Sequence, residues 1–81
     1  MPGETLREQA QAVARDFRIG READANAAFA KWTDAVLARL DPHALAQLGP
    51  ALAEIHTAQR RGDTLRVADL LQYVVAPTLT G

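Results

Sequence analysis

Throughout this 81-residue chain the apolar residues recur at steps of three and four, and no stretch alternates apolar with polar residues as a strand would. Steps of three and four return a side chain to one face of an α-helix, whereas a strand needs a period of two. The chain is therefore predicted to be all-α. Leu6, Ala10, Val13 and Phe17 form a first stripe. Ala25, Phe29, Trp32, Val36 and Leu40 form a second, widened by Leu37. Leu45, Leu48, Leu52 and Ile55 form a third.

Punctuation between the stripes sets the boundaries. Thr5 with Glu8 matches the Thr-x-x-Glu capping box, in which each residue satisfies a backbone N–H of the other at a helix start. Gly20 ends this helix, after Arg15 and Arg18 have placed cations near its carbonyl end. Asp41-Pro42 restarts the chain, because Asp caps and Pro fits a first-turn position whose N–H would lack a partner anyway. Arg60-Arg61-Gly62 closes the third helix, Asp63 caps the fourth, and Pro77 is expected to stop it. The helices predicted are about 5–18, 22–40, 42–61 and 64–76, in one domain spanning 1–81. Gly49-Pro50 interrupts the third, and a proline inside a helix costs about 3 kcal/mol. Since the stripe keeps its phase across the interruption, a kinked helix or two short coaxial pieces is expected there. Four amphipathic helices with tight connections imply a small four-helix bundle or two stacked helical hairpins.

The fourth helix is unusual. Nine of its twelve residues, 65–76, are apolar, and the three polar ones, Arg66, Asp69 and Gln72, recur at every third position. They make a narrow polar stripe on an otherwise apolar cylinder. One apolar stripe (Leu65, Ala68, Leu71, Val75) can join a core shared with the other helices. A second, Val67, Leu70 and Val74, has no evident home within the chain, so these residues are expected to remain for a partner. Asp69 reads either as a solvent-facing residue with weak neighbours at i±3 or as a residue fixing register at a helix–helix contact. Tyr73, at the edge of the polar stripe, can pack its ring while its hydroxyl stays wet.

Composition excludes much chemistry. Serine and cysteine are both absent, so the common acyl-transfer nucleophiles, disulfides and thiolate metal sites are missing. The five glycines are scattered and build no phosphate-cradling loop. His43 and His56 are thirteen residues apart and lack the i, i+4 spacing of a helical zinc pair. The carboxylates read as caps, first-turn acids or solvated residues. No catalytic residue, cofactor or metal ligand is predicted. A net charge of −1 argues against general nucleic-acid binding. The one basic concentration, Arg7, Arg15, Arg18 and Arg21, is interleaved with Glu4, Glu8 and Asp16, and it supports only a secondary reading as a small nucleic-acid-binding regulator. No signal peptide or membrane span is legible, and a cytoplasmic setting is expected.

The segment from Arg61 to Pro77, with Asp63, Ala68, Asp69, Leu70, Leu71, Tyr73 and Pro77 in a D-x-x-x-x-A-D-L-L-x-Y…P pattern, resembles the closing segment of small uncharacterised bacterial helical proteins. Those proteins also begin with a helix, a glycine and a second helix bearing aromatics, as Phe17, Gly20, Phe29 and Trp32 do here. In size and pattern the chain is more loosely similar to the small helical chaperones of flagellar and type III export. Neither resemblance implies a catalytic residue. The function expected is a non-catalytic protein–protein interaction module, an adaptor or chaperone-like protein. It would form a homodimer or bind a protein partner through Leu65, Val67, Leu70, Asp69, Tyr73 and Val74.

Overall fold

A computed structural model describes residues 5–79 of the chain. Three long helices come first: α1 (Leu6–Arg18), α2 (Glu22–Arg39) and α3 (Pro42–Arg60). A last helix then runs in three consecutive parts: α4 (Thr64–Asp69), a π segment (Leu70–Val75) and a final turn, α5 (Ala76–Thr78). Among the described residues there is no strand.

The boundaries follow from local chemistry. Thr5 is the N-cap of α1: its hydroxyl accepts from Glu8 N at 3.1 Å, and Glu8 Oε1 accepts from Thr5 N at 3.1 Å. Hydrogen bonding from the Thr5 backbone N–H, then from its side chain, holds the Glu8 carboxyl below its ordinary pKa. Asp41 caps α3 through Ala44 N at 2.8 Å, and Asp63 caps α4 through Arg66 N at 3.1 Å. Helices α1 and α3 end alike. Gly20 and Gly62 take positive φ, 83° and 71°, a conformation costly to any residue with a Cβ. That turn lets Arg21 N reach Asp16 O at 2.9 Å and Asp63 N reach Ala58 O at 2.9 Å. With Gly20 N on Phe17 O and Gly62 N on Gln59 O, both ends form the paired bonds of a Schellman motif.

Consecutive helices pair as two hairpins, α1 with α2 and α3 with the last helix, and the hairpins join where α1 packs on the last helix. The outer helices α2 and α3, although adjacent in sequence, make no extensive backbone contact; the Asn26 and Gln59 side chains meet at 3.5 Å. This side-by-side order gives a flattened body, 31 × 30 × 19 Å. Its radius of gyration is 11.8 Å, against about 12 Å for a compact chain of this length.

The core draws on every helix, from Leu6, Val13 and Phe17 through Trp32, Val36, Leu48 and Ile55 to Val67, Leu71, Val75 and Leu79. Trp32 anchors α2 to the start of α1: its indole N–H donates to the Leu6 carbonyl at 2.9 Å, and its ring stacks on Phe29 at 5.7 Å. Tying off that N–H removes the main cost of burying a tryptophan.

The structure corrects two expectations, at Leu37 and at Pro77, and decides a third at Gly49-Pro50. Leu37 does not widen the buried stripe of α2; it is 61 % exposed, because α2 is an outer helix covered mainly by α1. At Gly49-Pro50 the structure takes the first of the two forms expected, one continuous helix from Pro42 to Arg60 with the proline inside it, and not two separate pieces. Gly49 and Pro50 are both exposed, so the carbonyl left without a donor by Pro50 lies on the solvent side, while Leu48 and Ala51 keep the core face. Finally, Pro77 does not stop the last helix, which continues to Thr78 by widening into the π segment before the proline. In an α-helix the Pro77 ring would press on the carbonyl four residues back, that of Tyr73. The wider turn, in which Ala76 N bonds Leu71 O five residues back, relieves that clash.

Candidate interaction surface on the last helix

The last helix packs against α1 on one side and α3 on the other, so its buried arc is wider than one stripe. Val67, Ala68, Leu70, Leu71, Val75, Ala76 and Leu79 are all buried. The second apolar stripe is thus not left uncovered as a set. Val67, at 1 %, and Leu70, at 3 %, fill the contacts with α1 and α3 and cannot meet a partner without unfolding. Leu65 departs in the other direction. Placed by its spacing on the core stripe, it is 60 % exposed, because the buried arc centres between Val67 and Leu71 and turns the first residues of α4 outward.

The large apolar side chains that the helix shows to solvent are Leu65 at its start and the neighbours Tyr73 and Val74 at its π turn, 67 % and 45 % exposed. Ile19, at the end of α1, is also exposed. Of the six residues expected to bind a partner, Leu65, Tyr73 and Val74 are accessible. Val67 and Leu70 are core, and Asp69 is half-exposed and engaged.

The polar stripe is tied down within the chain. Arg18, in the last turn of α1, reaches across to the last helix: Nη2 donates to Asp69 Oδ1 at 2.8 Å and to Gln72 Oε1 at 2.9 Å, and Nε donates to Gln72 Oε1 at 3.1 Å. Its guanidinium also lies 5.8 Å from the centre of the Tyr73 ring, within cation–π range. Arg66, one turn before, donates to Glu54 of α3 at 3.0 Å. Asp69 therefore takes part in a helix–helix contact inside the chain, between α1 and the last helix. Both ion pairs keep substantial solvent exposure, so each contributes less than about 1 kcal/mol and falls with salt. Their effect is geometric: each links the last helix to a neighbour, through Arg18 to α1 and through Glu54 to α3, and Arg18 also places its guanidinium beside the exposed Tyr73 ring.

Sequence reasoning missed this clamp, although its signals were present. Arg18 stands at the end of α1, and Asp69 and Gln72 share one helix face. The pairing became legible only once α1 lay alongside the last helix. The other arginines of the first hairpin, Arg7, Arg15 and Arg21, are exposed, whereas Arg18 already serves the clamp. His43 and His56 are both exposed. Among the described residues no three His, Asp or Glu side chains gather to hold a metal ion, and no helix is long and apolar enough to cross a membrane. A second apolar surface is a shallow groove of about 350 Å3 between α1 and α2, lined by Ala12, Val13, Ala28, Trp32 and Ala35 with Asp16 and Lys31 nearby.

Each residue of the closing pattern has a structural task. Asp63 caps α4, Ala68, Leu70 and Leu71 fill the core, Asp69 and Tyr73 meet Arg18, and Pro77 stands behind the π turn. Comparison with protein-family models, curated proteins and solved structures finds no match to this chain.

Proposed function

We propose that this chain is a non-catalytic protein–protein interaction module, of adaptor or chaperone-like type, whose contact surface centres on Tyr73 and Val74 of the last helix, with Leu65 at its margin. The observation that carries this reading is the side-by-side exposure of Tyr73 and Val74 on a helix whose other apolar residues, Leu65 apart, are buried. A tyrosine beside the Arg18 guanidinium offers contact area at little cost in side-chain entropy, as interface aromatics do. A second copy of the chain is the simplest occupant, since a two-fold axis would set one Tyr73–Val74 patch against another.

Sedimentation equilibrium of the purified chain tests this reading, with Val74→Glu as the comparison. The expected outcome is a mass above monomer that returns to monomer in the variant while helical content stays unchanged. A chain that is monomeric at every attainable concentration, binds no protein partner, and is unaltered by Val74→Glu would refute it.

A further inference from the structure

Where α1 and α2 lie side by side, the positions along their outer seam carry alanine: Ala12 on α1, and Ala28 and Ala35 two turns apart on α2, all half-buried. An alanine side chain ends at Cβ and cannot fill the space between two packed helices, whose axes stand roughly 8–10 Å apart. A groove of about 350 Å3 therefore stays open between them. Its floor is Val13 and Trp32, 4 % and 2 % exposed. The indole is fixed by its bond to the Leu6 carbonyl and by its stack on Phe29, so this floor is formed before anything binds. Sites for small molecules run from about 300 to 1,000 Å3. The groove lies at the small end of that range, and a helix, about 10 Å across, would overfill it.

Two opposite charges border this apolar slot from opposite walls: Asp16, half-buried on α1, and Lys31, exposed on α2. Neither is spent within the chain. The ion pairs among the described residues are Arg18–Asp69 and Arg66–Glu54, and no hydrogen bond there engages the Asp16 carboxylate or the Lys31 ammonium. Such a slot selects by charge pattern. A simple anion would meet Asp16 as a like charge, a simple cation would meet Lys31 so, and an uncharged apolar molecule would leave both charges unused. A small molecule that carries an ammonium and a carboxylate beside one apolar group satisfies both walls and the floor together.

We propose that the groove between α1 and α2 is a binding site for a free apolar α-amino acid in its zwitterionic form. The ligand's ammonium faces Asp16, its carboxylate faces Lys31, and its side chain lies between the alanines against Trp32. A peptide offers only one of the two charges at each of its ends, so the free amino acid is the better fit. The site lies on a different helix pair from the Tyr73–Val74 patch and stands whether or not that patch binds a partner.

Titration of the isotope-labelled chain with leucine tests this, followed by amide chemical shifts and by the fluorescence of Trp32, the only tryptophan. Saturable shifts centred on Ala12, Ala28, Trp32 and Ala35 are expected, with a Kd of about 1–10 mM for so small a ligand in an open groove. N-acetyl-leucine and leucinamide each lack one charge and stand for the two ends of a peptide. Each should bind at least about tenfold more weakly than leucine. Asp16→Asn should weaken leucine by about tenfold and erase its advantage over N-acetyl-leucine, and Lys31→Met should do the same against leucinamide. Both variants change side chains outside the core, and circular dichroism confirms that they fold. Ala35→Leu, which fills the groove, should remove binding. The proposal is overturned by the absence of saturable shifts at about 50 mM leucine. Equal binding of the three ligands, or shifts centred away from the groove, would overturn it as well.

Discussion

Alanine at Leu71 and at Leu65 provides the most direct test of how the last helix is covered. The two leucines share one helix, and their spacing puts them on one stripe, yet Leu71 is fully buried and Leu65 is 60 % exposed. Truncating a buried leucine removes its transfer free energy and leaves a cavity, a loss of about 3 kcal/mol or more. A chain of 81 residues has a total stability of about 4–12 kcal/mol, so Leu71→Ala removes a quarter to most of it. At about 4–8 °C per kcal/mol for a domain this small, the midpoint should fall by about 12–24 °C. Leu65→Ala loses little burial and gains helix propensity, and its effect should stay within about 0.5 kcal/mol. Urea titration followed by the fluorescence of Trp32, the only tryptophan and a buried one, reads both variants, with far-ultraviolet circular dichroism as a second probe. Equal losses at the two positions, independent of protein concentration, would refute this account of the packing. A loss at Leu65 that grows with concentration would instead show it covered by a second chain.

The two glycines should respond differently: Gly20→Ala forces a Cβ into a positive-φ turn and should cost about 1–2 kcal/mol, whereas Gly49→Ala in α3 sets a gain in helix propensity against the clash of its Cβ with the following Pro50 ring and should change stability by less than about 1 kcal/mol. Thermal midpoints of the two variants check the difference. Thr5→Ala removes the α1 cap and should cost about 1 kcal/mol by urea titration. Because hydrogen bonds from Thr5 lower the Glu8 pKa in the folded state, its contribution to stability is present above the ordinary carboxylate pKa and is lost as pH falls through the folded value. Glu8→Gln should therefore flatten part of the acid limb of the stability–pH profile, and an unchanged limb would rule out this assignment. Arg18→Ala should cost about 1 kcal/mol or less at low salt and less still at 1 M salt, where the Arg18–Asp69 pair is screened.

The sequence by itself determined the helices and most of their ends. Steps of three and four select the α-helix, and Thr5, Gly20, Asp41, Gly62 and Asp63 act through bonds that close within a few residues, so they need no knowledge of the fold. It also determined which residue types were at hand, and with them that the last helix carries more apolar surface than one stripe requires. The tertiary structure decided how much of that surface stays uncovered. A helix packed between two neighbours buries a wide arc, which places Val67 and Leu70 inside and Leu65 outside, and periodicity cannot report how many neighbours a helix will have. It decided, too, that Arg18 meets Asp69, more than fifty residues away in sequence, since an ion pair between helices exists only after they have docked. The exposure of Val74 rests on both levels. Pro77 signals a disturbance locally, but only packing of Leu79 into the core shows that the helix answers with one extra residue in the turn.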